Sequence, residues 1–207
     1  TTNATLTATG TSCGLLTTEG VRDALEMRRG IREEQYNNRY TNVKPLVPRY
    51  LRAGIEGRMD RNGAETKPLN LDQVKQAVAL FKREGVQAVS ICFMNSFANP
   101  AHEQAASELV RRELSGAYLS VSTDVLPSIR FYERISTTAL NSYVGPKLNH
   151  YLDQLVGRLK DIGFKGLLLI MQSNGGVISP QLAREKAALV FDAGEFAGLI
   201  RQDDHFL

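Results

Sequence analysis

Two stretches of this chain carry side chains that chemistry uses. Residues 132–146 read YERISTTALNSYVGP, and residues 167–176 read LLLIMQSNGG. In the first, Tyr132, Ser136 and Tyr143 recur near one helical face, and Glu133, Thr137 and Asn141 recur at i, i+4 and i+8 near another. Ser-Thr-Thr is a poor choice for helix stability, because those side chains compete with the backbone for hydrogen bonds. A polar run kept there implies a contact, with either a neighbouring helix or a ligand. Glu133 has the chemistry of a general base or a metal ligand, and equally that of a salt-bridge partner for Arg130 or Arg134. In the second stretch an apolar run stops at Gln172-Ser173-Asn174-Gly175-Gly176. Asn-Gly and Gly-Gly favour positive φ, so a tight turn is one reading. The other is a loop beyond the carboxyl end of a buried strand, where backbone N–H groups meet an anion.

Other chemistry-bearing residues have weaker surroundings. Ser173 lacks the G-x-S-x-G context of a strained nucleophile, and Gly175-Gly176-Val177 is not followed by the Gly-Lys-Ser/Thr of a phosphate-binding loop. His102 sits beside Glu103 in the first turn of an expected helix, where a histidine most often packs against a loop. Arg28 and Arg29, ahead of Gly30, suit an anionic substrate or a solvated surface. Cys13 and Cys92 lie far apart in apolar runs and read as buried reduced thiols. With His102, His150 and His205 they show no metal-ligand spacing, so no metal site is expected from this chain. No catalytic residue is assigned.

The elements that must position these residues follow from the pattern. The chain has 207 residues, 43% hydrophobic and 23% charged, enough for one large or two small domains. A net charge of +3, spread without blocks, gives no nucleic-acid signature. No apolar stretch is long enough to span a bilayer and the start shows no basic-then-apolar signal pattern; the reading of both cysteines as reduced thiols carries the expectation of a cytoplasmic location. The start at Thr1-Thr2-Asn3, without methionine, suggests a processed or partial chain. A short helix is expected over 3–9, a strand over 12–17 and a helix from Thr18-Glu19-Gly20 with Val21, Ala24 and Leu25 inward. Residues 28–48 read as a long polar excursion, which in a compact domain is usually functional or covered by a partner. Residues 49–58 and 64–68 read as a hairpin around Asn62-Gly63, a type I′ signal.

Beyond residue 69 helices and strands alternate. Asn70 or Asp72 caps a helix with Val74, Ala77, Val78 and Phe81 on one face, and Gly85 ends it. Residues 86–94 are a buried strand. Asn99-Pro100 opens a helix with Ala105, Leu109 and Leu114 inward. Residues 118–121 are a strand. Helices 131–143 and 146–162, divided at Gly145-Pro146, lead to the strand at 167, and Ser179-Pro180 opens another helix. The order predicts an α/β fold with a layered sheet flanked by helices. The expected organisation is a portion over 1–68, with loop 28–48 and hairpin 49–68, a portion over 69–186, with helices 131–162 and strand-loop 167–176, and an unassigned tail over 187–207.

Several segments together resemble the hydantoinase A/5-oxoprolinase family, which includes ATP-binding subunits of acetone- and acetophenone-type carboxylases. They are LLTTEGVRDALEMRRG (15–30), PLVPRYLR (45–52), FANPAHE (97–103), YERISTTALNSYVGP (132–146) and MQSNGGV (171–177), in family order and over roughly residues 1–186. Met27-Arg28-Arg29-Gly30 and PLVPRYLR look closer to the N-methylhydantoinase and ketone-carboxylase branch. The resemblance implies part of an actin-like, sugar-kinase-like ATPase fold. It implies ATP and Mg2+ in the complete enzyme, with phosphorylation of a cyclic amide or ketone enolate before hydrolysis or carboxylation. It implies a larger hydantoinase B-type subunit or domain as partner, a hydantoin, lactam or ketone substrate, and an oligomeric assembly. Ser173, Asn174, Gly175 and Gly176 then fall in a loop facing an interdomain cleft, near Tyr132, Glu133, Arg134, Thr137, Thr138 and Asn141, as nucleotide or substrate contacts.

The departures from the family pattern carry an expectation of their own. The family's Asp-x-Gly-Gly-Thr phosphate loop, which precedes the segment matching Thr1, has no counterpart here. Its Ser-Gly-Pro-rich continuation after Ser-Asn-Gly-Gly is replaced by ALVFDAGEFAGLIRQDDHFL (188–207). Phosphoryl transfer depends on positioning and charge stabilisation of the phosphates, so the isolated chain is expected to be inactive, with no cofactor assigned to it alone. The competing expectation is a non-catalytic assembly module that keeps the fold and a partner surface, including segment 28–48, but not the phosphate loops.

Overall fold

The computed structural model describes residues 2–30, 34, 36–41 and 43–191. Their elements are α1 (Thr2–Leu6), β1 (Cys13–Thr18), α2 (Ala24–Met27), β2 (Arg52–Ile55), β3 (Arg58–Met59), β4 (Glu65–Lys67), α3 (Leu71–Arg83), β5 (Ala88–Cys92), α4 (Ala101–Glu113), β6 (Tyr118–Val121), α5 (Ser122–Val125), α6 (Phe131–Asp161), β7 (Ile170–Met171), β8 (Val177–Ile178) and α7 (Pro180–Glu185). They divide into two compact units. One is Ser12–Ser142; the other comprises residues 2–11 and 143–191 of those described.

The Ser12–Ser142 unit is built on a four-stranded, all-parallel sheet in the order β2-β1-β5-β6. Every residue of β1 and β5 is buried, which is why CGLLTT and AVSIC carry so little charge. In-register neighbours of a parallel sheet point to the same face, so Leu15, Ser90 and Ser120 share one face and Gly14 and Val89 the other. A methyl group on Gly14 would sit 2.7 Å from the Phe81 ring, so α3 packs directly on that second face. The first half of α6 covers the opposite face, where the Ser90 and Ser142 hydroxyls meet at 2.8 Å. The result is the expected layered α/β arrangement. The amphipathic spacing of α3 buries Val74, Ala77, Val78 and Phe81 as read, and the Asn70 side chain caps its N-terminus by accepting from the Gln73 N–H.

In the other unit, β7 and β8 form a two-stranded antiparallel hairpin, and Leu148 and Leu152 of α6 are buried. Here the structure corrects the expected buried strand over 167–171. Only Ile170 and Met171 pair, and Leu167 is 81% exposed. A continuous apolar run does not by itself mean burial; that depends on what packs against it.

Other boundaries also move. α6 runs from Phe131 to Asp161 without the expected break at Gly145-Pro146. Proline removes one hydrogen bond from a helix and need not end it. The Thr11 N–H donates to the Tyr143 carbonyl at 2.9 Å, one turn before Pro146. The 58–67 hairpin does not use a type I′ turn, because of its central residues only Gly63 has positive φ. α2 is a single turn, and Val21, Ala24 and Leu25 are half-buried rather than core. In α4 the buried face carries His102, Glu103, Ala106, Leu109 and Val110, not Ala105 and Leu114. The described residues of 28–48 contain no helix or strand, and residues 31–33, 35, 42 and 192–207 lie outside the description.

Candidate functional site

The carboxyl ends of the parallel strands are where an α/β sheet places a site. The chain leaves β1 toward β2 on one side and leaves β5 toward β6 on the other, so the order reverses between β1 and β5. At that point the Thr18 hydroxyl accepts from the Met94 N–H at 2.9 Å and ties the two strand ends together.

Beside it lies a buried polar network whose centre is Glu103. This carboxylate is fully buried. Its Oε1 accepts from the Phe93 N–H at 2.8 Å and from the Ser96 and Ser122 hydroxyls at 2.6 Å each, and its Oε2 accepts from the Thr123 N–H at 3.1 Å. Glu103 therefore joins the ends of β5 and β6 to the first turn of α4. From the other side Arg134, also fully buried, donates through Nη1 to Ser96 Oγ at 2.6 Å and through Nη2 to the Phe93 carbonyl at 2.7 Å. Its guanidinium lies 5.8 Å from the Phe97 ring centre and 5.7 Å from that of Phe131. Burying two ions is tolerable only with this degree of hydrogen bonding. The sequence reading assigned no role to Glu103. The available signal was FANPAHE itself, with an acid seven residues after Ser96.

The polar run of α6 resolves by depth. Thr138 and Asn141 are fully buried. Asn141 Nδ2 donates to Ser120 Oγ at 3.0 Å and Tyr118 Oη at 3.2 Å, and Thr138 Oγ1 donates to the Arg134 carbonyl at 2.6 Å. These residues contact the sheet, which explains a polar helix face above strands that carry Ser90 and Ser120. Glu133 and Thr137 are half-buried. Glu133 pairs with Arg29 rather than with Arg130 or Arg134. Its carboxyl is held below the usual range, first by its own backbone N–H and then by Arg29, while partial burial works the other way.

Ser173, Asn174, Gly175 and Gly176 belong to the other unit, where they form the turn between β7 and β8. The Gln172 N–H donates to the Gly176 carbonyl at 2.7 Å, Ser173 N–H to the Leu189 carbonyl at 2.9 Å, Gly175 N–H to the Gln172 carbonyl at 3.1 Å and Gly176 N–H to Asn174 Oδ1 at 2.9 Å. With those donors engaged the turn does not form a cradle of free N–H groups for a phosphate. The side chains of Ser173 and Asn174 are exposed.

Both cysteines are buried and neither forms a disulfide, and burial pushes each thiol up to about 12. His102 Nε2 lies 2.6 Å from Glu65 Oε1, which docks the β3–β4 hairpin on α4. Among the described residues no three His, Cys, Asp or Glu side chains converge as metal ligands would, and no helix is long and apolar enough to cross a membrane.

The family model for the hydantoinase/oxoprolinase N-terminal region matches residues 1–114, and that for hydantoinase/oxoprolinase matches residues 134–203, reaching into the 187–207 tail. The chain belongs to this family. It is 37% identical over 194 residues to the caprolactamase subunit alpha of Pseudomonas jessenii, covering 93% of this chain and 28% of that one. It is 29% identical over 211 residues to the acetophenone carboxylase gamma subunit of Aromatoleum aromaticum, covering 96% and 29%. Among solved structures, the ATP-dependent caprolactamase from Pseudomonas jessenii superposes with a TM-score of 0.88 at 36% identity, over 93% of this chain and 28% of that one. The nucleotide-free acetone carboxylase superposes at 0.82 with 25% identity, over 98% and 30%. The chain thus spans less than a third of the length of these relatives.

Proposed function

We propose that this chain is a portion or subunit of an ATP-dependent enzyme that activates a cyclic amide, or a ketone enolate, by phosphorylation for hydrolysis or carboxylation. The observation that carries the proposal is its likeness to the ATP-dependent caprolactamase along nearly its whole length. In this reading the sheet and the first half of α6 belong to an actin-like scaffold. Glu133 and Thr137 face outward as substrate or nucleotide contacts, while Arg134, Thr138 and Asn141 hold the helix that presents them. Ser173 and Asn174 contribute side chains, and Gly175 and Gly176 shape their turn. ATP with Mg2+ supplies the phosphoryl group in the assembled enzyme, alongside a larger hydantoinase B-type partner. The N–H groups of Gln172, Ser173, Gly175 and Gly176 are engaged within the chain, so no phosphoryl-transfer step is assigned to that turn.

The test is thermal stability of the chain with and without Mg-ATP, alone and mixed with a hydantoinase B-type subunit, followed by ADP release on adding caprolactam, 5-oxoproline, a hydantoin or acetone. A nucleotide at a hundred times its dissociation constant stabilises the folded state by about 2.7 kcal/mol. Stabilisation together with substrate-dependent ADP release supports the proposal. Absence of both effects, with the chain alone and in the mixture, would sink it.

A further inference from the structure

In the unit of residues 2–11 and 143–191 the most apolar run is left uncovered. Leu167, Leu168, Leu169, Ile170 and Met171 are consecutive, the pattern of a strand buried on both faces, yet only Ile170 and Met171 pair, with β8. Leu167 is 81% exposed and Leu169 46%. Leu168, between them, lines a groove of about 540 Å³ with Val156 and Leu159 of α6, Phe164 and Pro180. Apolar surface exposed in this way marks a contact.

The backbone defines the kind of contact. Among the described residues, Leu167, Leu168 and Leu169 make no backbone hydrogen bond. The Gln172 N–H faces β8, donating to the Gly176 carbonyl at 2.7 Å. Successive N–H groups of a strand point to opposite edges, so in a run that continues β7 those of Leu167, Leu169 and Met171 face away from β8. Among the described residues no strand pairs with that edge. An open row of N–H and C=O groups beside apolar side chains is matched by an extended segment, which supplies both. Charge narrows the match further. The charged walls of the groove are Lys160 and Lys165, neither with an ion pair or hydrogen bond among the described residues, and no carboxylate lines it. Asp161, beside Lys160 in sequence, is exposed and is not a wall residue.

We propose that this edge takes an added strand: an extended apolar segment, with carboxylates near Lys160 and Lys165, from hydantoinase/oxoprolinase polypeptide other than this chain. In the caprolactamase and acetone carboxylase structures the part that matches this chain is 28% and 30% of one polypeptide, so the family holds further sequence from which the strand comes. The added strand pairs with Leu167, Leu169 and Met171, and the run becomes the covered strand that its composition describes. The turn of Ser173, Asn174, Gly175 and Gly176 follows the run directly, so strand addition also fixes those candidate site residues. The inference rests on family membership and on this edge, not on the activity proposed above.

The test uses the whole chain and overlapping synthetic peptides that span the Pseudomonas jessenii caprolactamase subunit alpha outside the portion matching this chain. Binding is followed by calorimetric titration and by NMR-detected hydrogen exchange. In the chain alone the Leu167 and Leu169 amides exchange fast, since no described group bonds them. A peptide that binds slows both together. Leu167→Pro removes an N–H that bonds no described group and a side chain that is mostly exposed, so the melting temperature is unchanged. The same change weakens peptide binding about tenfold, through the lost hydrogen bond and the interrupted strand. Leu167→Ala, which keeps the N–H, weakens it less. Lys160→Glu combined with Lys165→Glu weakens it more at low salt than at high salt. The inference is overturned if no peptide slows these amides, if binding is indifferent to Leu167→Pro, or if the amides are already slow in the chain alone. Slowing that grows with the concentration of the chain itself also overturns it, by assigning the edge to a second copy. None of these outcomes bears on the Mg-ATP test.

Discussion

Gly63 and Gly175 hold the same place in two separate hairpin turns. Each donates its N–H to the carbonyl three residues earlier, Asp60 at 3.2 Å and Gln172 at 3.1 Å, and each has left-handed φ, 86° and 83°. In both turns the chain closes one residue later, Asp60 N–H to the Ala64 carbonyl and Gln172 N–H to the Gly176 carbonyl. Asp60-Arg61-Asn62-Gly63 and Gln172-Ser173-Asn174-Gly175 are therefore one device, a three-residue loop ending on a left-handed glycine. Its glycine is required by backbone geometry, whatever else the second turn contacts.

Alanine at either glycine is expected to be destabilising. Gly175→Ala should cost about 1–2 kcal/mol from the left-handed conformation alone. Gly63→Ala should cost more, because the added methyl also comes within 3.0 Å of the Ala98 carbonyl oxygen. Urea unfolding measures both. A neutral Gly175→Ala would show that the turn can rearrange.

The Glu103–Ser96–Arg134 network should behave as a unit. Glu103→Ala leaves buried donors from Phe93, Ser96, Ser122 and Thr123 without their acceptor, and each such loss costs about 1–3 kcal/mol. Severe destabilisation or failure to fold is expected. Ser96→Ala is the milder probe, expected to lower stability by about 1–3 kcal/mol. Paired with Arg134→Met in a double-mutant cycle, it should be strongly non-additive. Additive losses would mean that the two sides are energetically separate.

Acid should weaken the fold partly through Asp23. The Arg49 hydrogen bonds, then the charges of Arg49, Arg22 and Arg52, hold its carboxyl below the usual range. A depressed folded value means that the stabilisation is present at neutral pH. It begins to fade as pH falls through the unfolded value, near about 3.9, and is lost at the folded value below it. Arg49→Met should flatten that part of the profile, read as melting temperature against pH. Parallel curves for the two proteins would rule Asp23 out as the titrating group.

Burial should silence both cysteines. With each thiol pushed up to about 12, Cys13 and Cys92 carry little thiolate at neutral pH and are shielded as well. A thiol-specific chromogenic reagent should label neither in the folded chain and both in denaturant. Rapid labelling of the folded chain would show that the sheet opens locally.

The elements of the Ser12–Ser142 unit are largely local in origin. β1 and β5 are apolar runs because both faces of a central parallel strand are covered, and α3 follows from its periodic face and the Asn70 cap. The ordered motifs were enough to place the chain in its family. Burial was not local information. The Leu167–Met171 run looks more apolar than β6, yet only β6 pairs with a covered neighbour. Glu103 looks like an ordinary acid in a first turn, but the pairing of β5 with β6 brings the Phe93 and Thr123 N–H groups to it. Asn141 read as either a helix contact or a ligand contact; the register that sets Ser90 beside Ser120 brings its amide to the Ser120 hydroxyl. Composition and periodicity thus determined which segments form strands and helices. Only the tertiary structure decided which polar residues are enclosed and which remain free to meet a ligand, because that depends on which distant segments pair and in what register.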